Sequence, residues 1–312
     1  MADRTKYSPT DIVILTYYFV TGLFILISGL TGKLDGWPKY AIHHALVLAV
    51  LPIFIATFKS IRRNALSILR LCYPILLFGT MYRETHDIDQ VLFSKPLDYY
   101  FIVWDKLLFK CQPSVDFAGW LNAPWFSEIL HFFYFSYFFM IVILPVVHWV
   151  LKNPKMVERR VFDLVFTYSI FFSLFVILPV QGPRVQLLSA IDIPRTGFFF
   201  GPFFERLFDG LKIAGAAFPS SHCGAAALVA ANSVHDMKKF WPIPALFAFG
   251  IFLATVFGRF HYAVDVIYGA GLGIICFLLS GYVHAWLRKI GFVGPFREGD
   301  RNVSGKTAGD ID

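Results

Sequence analysis

Three short stretches of this 312-residue chain carry side chains suited to work on an anion. They are Pro179-Val-Gln-Gly-Pro-Arg184, Phe218-Pro-Ser-Ser-His222-Cys-Gly, and Gly258-Arg259-Phe-His261-Tyr-Ala-Val-Asp265. Asp265 lies four residues after His261, so a helix starting by His261 stacks the two side chains on one face. A carboxylate placed there accepts one imidazole N–H, fixes the tautomer and leaves the other nitrogen as a nucleophile. It also stabilises positive charge that develops on the ring during attack. His222 is then available as general acid for a leaving oxygen. Phosphoryl transfer asks mainly for positioning and for positive charge around three equatorial oxygens. Arg184 and Arg259 offer fork-shaped donors suited to phosphate. Pro219-Ser220-Ser221 reads as a helix start, whose free N–H groups, hydroxyls and dipole favour an anion. The set requires no metal and no cofactor.

The elements that must position these groups are membrane helices. Apolar residues make up 57% of the chain and charged residues only 16%, against roughly 25% charged in ordinary globular domains. With 36 Phe, this composition excludes a disordered chain, a nucleic-acid-binding arm and most soluble enzymes of this size. Long apolar runs predict about eight spans, at 11–30, 41–58, 64–81, 126–151, 161–181, 220–236, 242–258 and 262–287. Arg70 weakens the third, and the sixth and seventh are short. The first is too long for a signal-peptide core and has no clear cleavage site, so it is read as a retained span.

With the N-terminus inside, the short inner loops collect Lys59, Arg62 and Arg63, then Lys152, Lys155, Arg159 and Arg160, then Lys238 and Lys239. That is the distribution the positive-inside rule expects, and it places both termini in the cytoplasm. The net charge of +7 is read as orienting loop charge, without a nucleic-acid partner. Four scattered cysteines lack metal-type spacing and suggest no disulfide framework.

The expected fold is therefore all-α, a polytopic integral membrane helix bundle. Residues 1–81 form N-terminal membrane helices and 82–125, polar but aromatic, an interfacial outer cap. Residues 126–290 form a catalytic core, and 291–312 a flexible cytoplasmic tail. A tight inner turn at Asp236–Trp241 makes 220–236 and 242–258 an antiparallel pair, each roughly 25 Å long. Arg259 and His261 then return to the membrane face where His222 begins, on the periplasmic, extracellular or lumenal side.

These stretches resemble the type 2 phosphatidic acid phosphatase superfamily of integral-membrane lipid phosphatases, including its subgroup similar to inositol phosphorylceramide synthases. The second block of that family, Pro-Ser-x-His, matches Pro219, Ser220 and His222. The third, ending His-x-x-x-Asp, matches His261 and Asp265. The resemblance covers about residues 125–287 and implies a six-helix-type core, His261 as the phosphorylated nucleophile, Asp265 as its orienting group and His222 as the acid. In the cap, Asp105-Lys-Leu-Leu-Phe is similar to the bacterial members of the synthase-like subgroup. The chain also departs from the pattern. Ile177 stands where the first block has Lys, Thr255 stands where the third block usually has Arg, and Ser221 replaces the frequent Gly. Arg259 lies only two residues before His261. One fewer cation, differently placed, fits the transferase-like subgroup at least as well as the better-known phosphatases.

The resulting expectation is a metal-independent membrane enzyme acting on a lipid phosphate at the outer leaflet. Arg184, Ser220, Ser221 and Arg259 bind the phosphate. With water as acceptor it is a phosphatase, and with an inositol or lipid hydroxyl a phosphotransferase.

Plainer readings stand beside this one. Pro-Ser-Ser-His alone is an ordinary capped helix start, His261 with Asp265 alone an interfacial pair, and Arg184 alone a snorkelling anchor. A transporter expects ionisable residues at mid-span, whereas Asp163 and Asp265 are read here as lying at span ends. A catalytically dead scaffold relative is disfavoured by the intact His222, His261 and Asp265, and a soluble vanadium haloperoxidase by the spans. His43, His44, His86 and His131 fall near the outer boundary, where no spacing supports a zinc site. His148, His235 and His284 are read as interfacial. Gly269, Gly273 and the run from Gly224 to Ala227 read as close helix packing. Phe198–Phe200 and Phe203–Phe204 read as aromatics dipping into the membrane or lining a lipid entry path.

Overall fold

The computed structural model describes residues 7–58, 65–121, 123–187, 197–211 and 215–292. The elements among them are all helices. α1 (Pro9–Leu30), α2 (Trp37–Thr57) and α3 (Ala65–Ile88) come first. A 3₁₀ turn at Asp89–Val91 leads to two short helices, α4 (Asp98–Phe109) and α5 (Pro113–Trp120). The remainder comprises α6 (Pro124–Val150), α7 (Pro154–Ile177), α8 (Pro183–Gln186), α9 (Phe200–Leu211), α10 (Ser221–Asp236), α11 (Pro242–Phe257) and α12 (Ala263–Lys289).

The protein is an all-α membrane bundle, with a helix at each of the eight expected positions. Five of them, α1, α2, α6, α7 and α12, are long and apolar enough to cross a membrane. α10 and α11 have 16 residues each, and α3 carries Arg70 and a polar carboxyl end. Large apolar side chains such as Phe19, Ile53, Phe139 and Leu278 point outward, as they must where the solvent is lipid. Lys59, Arg62 and Arg63, and nearly all of the tail expected at 291–312, lie outside the described residues.

Several charged residues that read as loop or interface lie inside the bundle. Arg70 is buried in α3, where its guanidinium donates to both carboxylate oxygens of Asp11 at 2.9 and 2.5 Å, and the Tyr73 hydroxyl donates to the same carboxylate. Asp11 also closes the amino end of α1 through a reciprocal bond with Ser8. α7 starts at Pro154, some seven residues before the expected span, because Asn153 caps it and its charges find partners. Arg160 donates to both oxygens of Asp236, to Asp163 at 2.8 Å and to Asn232. Asp163 lies well inside α7 rather than at a span end, but its carboxylate is also bonded by Arg159 and Ser280. His148 and His284 are buried, not interfacial, and pair with Asp236 at 2.9 Å and Glu158 at 3.1 Å. Burial of charge is tolerated here because each group is paired and hydrogen-bonded.

α7 runs through the middle of the bundle, against α1, α3, α6, α10 and α12. The small-residue faces meet as expected where α10 crosses α12. A Cβ added at Gly269 would stand 2.4 Å from the Ser220 carbonyl oxygen, and one at Gly273 only 2.1 Å from that of Gly224. Such contacts are with backbone, which cannot swing away. Gly273→Ala is expected to cost about 1–3 kcal/mol through overpacking, seen as a lowered Tm in detergent. Gly271→Ala, two residues away with open space around it, is the control. It should hold or raise Tm, since alanine is the better helix former.

Candidate active site

The first stretch is laid down as extended chain between α7 and α8. Pro179 O accepts from Leu97 N at 2.8 Å, and Val180 O from Ala217 N at 2.9 Å. Gly182 adopts φ +92°, and a Cβ there would lie 3.0 Å from the Phe260 carbonyl oxygen and 3.2 Å from Ala217. Glycine is therefore required on two counts, conformation and space. This contact sets the first stretch against the third and against Ala217, which leads into the second, with Arg184 following at once in α8.

The second stretch starts α10. Ser220 is the N-cap, with its hydroxyl accepting from Cys223 N at 3.3 Å. Its own N–H donates to the Asp265 carbonyl at 3.1 Å, tying α10 to α12. Ser221 is buried beside it. His222 is half-buried between two tyrosine rings, Tyr134 at 5.2 Å and Tyr137 at 4.3 Å between centroids. The Tyr134 hydroxyl is 3.3 Å from His222 Nε2, while Nδ1 has no partner among the described residues.

The third stretch joins α11 to α12. Thr255, at the position where the family pattern has arginine, is fully buried, and its carbonyl receives the N–H groups of Phe260 and His261. Arg259 is buried and holds φ +62°, a left-handed conformation costly for a side-chain-bearing residue. Strain of this kind persists where surrounding structure enforces it, commonly at functional sites.

His261 and His222 are neighbours, with ring centroids 5.7 Å apart and planes at 61°. The partner of His261 differs from expectation. The helix starts at Ala263, so His261 precedes it, and the 261–265 spacing does not stack the pair on a helix face. Asp265 Oδ2 lies 3.7 Å from Nδ1, near enough for electrostatic contact but beyond a hydrogen bond. Nδ1 instead lies 2.7 Å from the carbonyl oxygen of Ala217. A carbonyl only accepts, so Nδ1 carries the proton and Nε2 keeps its lone pair. Burial holds the ring far below the ordinary histidine value, to about 4, with the Ala217 bond pulling the other way. His261 is thus neutral at neutral pH. The Asp265 carboxylate accepts from Tyr262 N at 2.9 Å and is fully buried.

Two residues, both on α4, brace the site in roles that the sequence did not reveal. Asp98 accepts from Gln181 N at 2.9 Å, Gly182 N at 2.7 Å and the Tyr262 hydroxyl at 2.9 Å. Asp105 accepts from Ala263 N at 3.1 Å, Val264 N at 2.9 Å and Gln112 Nε2 at 3.0 Å. Asp105 thereby closes the first turn of α12 from outside. The signal available in sequence was a pair of acids seven apart on an amphipathic segment, hence on one helix face.

Tyr134 is a third such residue. Tyr134→Phe keeps the ring against His222 but removes the hydroxyl. If His222 takes part in turnover, kcat should fall about 2–10-fold, as for one neutral hydrogen bond, with Tm unchanged. Steady-state kinetics beside a melting curve checks this.

The sequence profile of the PAP2 superfamily matches residues 102–279, more than half of the chain and inclusive of all three stretches. A PA-phosphatase related-family protein of Dictyostelium discoideum is 28% identical over 120 residues, 37% of this chain. The chain spans 22% of that relative's length. No solved structure matches.

Proposed function

The chain belongs to the PAP2 superfamily, and from that premise we propose that it is a phosphatase-like lipid enzyme that removes or transfers the phosphate group of a lipid phosphate through a phosphohistidine. The observation that carries this reading is the Nδ1–H bond from His261 to Ala217 beside His222. It leaves a neutral ring with a free Nε2, which is what a nitrogen nucleophile needs.

In the proposed reaction, Nε2 attacks phosphorus and forms an N–P bond as the P–O bond to the lipid alcohol breaks. His222, protonated as the anionic substrate phosphate settles beside it, gives its proton to the departing oxygen. Water or an acceptor hydroxyl then attacks phosphorus, the N–P bond breaks, and His222 recovers a proton from the attacking oxygen. Arg184, Arg259, Ser220, Ser221 and the first N–H groups of α10 hold the equatorial oxygens. Asp265, at 3.7 Å, offsets the positive charge that His261 gains on phosphorylation.

A lipid substrate suits the surroundings. Glu128 accepts from the backbone N–H groups of Phe198, Phe199 and Phe200, anchoring the start of amphipathic α9. An open groove there is lined by Phe198, Phe199, Pro202, Phe203 and Arg206, apolar with one cation at its edge. The proposed side is the outer leaflet, because Lys152, Lys155, Lys238, Lys239, Arg288 and Lys289 lie at the helix ends remote from the histidines. A phosphotransferase reading is favoured by the cap, since Asp98 and Asp105 bind α4 directly to the catalytic loops, where an acceptor could be selected.

The test is a panel of lipid phosphates and phosphodiester lipids incubated with purified protein, with and without alcohol acceptors and EDTA. Release of phosphate or of a transfer product that survives EDTA is expected. No turnover on any lipid, or turnover restored only by added metal, overturns the proposal.

A further inference from the structure

We propose that His43, His44 and Glu84 form a divalent-metal site, best suited to zinc, that clips α2 to α3 outside the catalytic centre. One donor atom from each lies within 4.8 Å of the others, a grouping of mixed nitrogen and oxygen donors found on two helices that contribute nothing to the three catalytic stretches.

The argument turns on protons. His44 is buried, and its Nδ1 lies 2.8 Å from the backbone carbonyl oxygen of Tyr18. Nδ1 must therefore carry hydrogen, and in a neutral ring Nε2 is a bare lone pair. Yet Nε2 faces Glu84 Oε2 at 2.9 Å, another acceptor. Two acceptors facing each other need a cation held by both, a proton at this separation or a tetrahedral metal ion once the pair opens to roughly 3.3 Å. A proton serves only that one contact. Glu84 is 7% exposed, and its second oxygen, Oε1, is buried with no hydrogen-bond partner among the described residues. Oε1 points toward His43 Nδ1 at 3.9 Å. A divalent ion would engage the His44 nitrogen, the Glu84 carboxylate and the His43 nitrogen together, and satisfy the buried oxygen that a proton leaves stranded.

The surroundings fit such an ion. A ligating histidine almost always donates its other ring N–H to a carbonyl or carboxylate, as His44 does to Tyr18. Two imidazoles and one carboxylate are a zinc donor set, and the absence of a d-electron geometric preference lets zinc accept helix-imposed angles. The Tyr18 ring lies 5.0 Å from His44 and 6.0 Å from His43, an aromatic wall on one side. His43 is 37% exposed, which leaves an entry path and room for water as a further ligand.

The test uses full-length protein in detergent, stripped with EDTA, exchanged into chelator-free buffer and titrated with Zn²⁺. Wild type should bind one ion per chain. Co²⁺ should give the visible absorption of a low-coordinate nitrogen–oxygen site. His43→Ala, which removes a half-exposed ring, and Glu84→Gln, which keeps the side-chain shape, should each weaken binding by at least about 100-fold, the upper end of losses seen when only outer-shell partners are removed. Zn²⁺ should raise Tm in wild type and leave it unmoved in both variants, with monodispersity by size exclusion confirming that they fold. His261→Ala should bind zinc like wild type. Absence of stoichiometric binding, equal affinity in the variants, or loss of zinc in His261→Ala overturns the proposal. In the first two cases a proton alone bridges His44 and Glu84. Because the ion is not at the catalytic centre, stripping it should leave initial turnover unchanged below the melting transition.

Discussion

His261→Ala is expected to lower kcat/KM by roughly 10⁵-fold or more, the scale on which enzymes lose a covalent nucleophile. It removes the only lone pair that the Ala217 bond leaves exposed on that ring. Alanine also strands the Ala217 carbonyl, a change that by itself could weaken the fold by about 1–3 kcal/mol. His261→Asn separates the two effects. Its Nδ2 can sit where Nδ1 sits and keep the donor to Ala217, but the amide has no nucleophilic nitrogen. Both variants should be inactive, and the asparagine form should melt close to wild type. Rapid quench with ³²P-labelled lipid phosphate should trap an acid-labile, base-stable label on wild-type protein and none on either variant. Label that persists in His261→Asn would move the phosphoryl group to another residue.

The second large effect belongs to a residue with no chemical role. Asp105 accepts three N–H donors, two of them from the first turn of α12. In Asp105→Asn one oxygen becomes an amide NH₂, and that group must face a backbone N–H. A donor then opposes a donor, and each hydrogen bond lost to a charged group is worth about 1.5–3 kcal/mol. The first turn of α12 carries Asp265 and starts two residues after His261, so the loss should appear in geometry. A fall of about 10–100-fold in kcat is expected, with KM changing less than threefold, because small displacements of reacting groups are this costly. Single-turnover labelling should show slower phosphorylation with the protein still folded. A purely structural role would lower Tm with kcat preserved in the folded fraction.

What was legible in the sequence followed from simple periodicities. Long apolar runs located the helices, Pro219 and Ser220 located the start of α10, and Gly269 with Gly273 located the tight crossing. Boundaries failed where charges were buried. Arg159, Arg160 and Asp163 read as the edge of a loop, yet they form the first turns of α7, because Asn232, Asp236 and Ser280 arrive from other helices to pair with them. Such partners lie 69 or more residues away, and a local pattern holds no trace of them.

The same limit applied at the site. The convergence of three stretches was readable from helix lengths, but the tautomer of His261 was not. It is set by the carbonyl of Ala217, a backbone group that any residue supplies. Asp265, four residues on, was the natural guess from spacing. In the structure its carboxylate accepts instead from the amide of Tyr262, one residue before α12 starts. The bracing roles of Asp98 and Asp105 were not legible because most of their partners are main-chain amides, which have no identity in a sequence.

Those two acids also decide how the centre can be reached. Through them α4 holds Gln181, Gly182, Tyr262, Ala263 and Val264. Peeling it back would break five such bonds and disturb the loops that carry the candidate site. Under the proposed function, a segment fastened in this way cannot double as a door, and a greasy reactant has to slide in sideways from the bilayer, past the phenylalanines of α9.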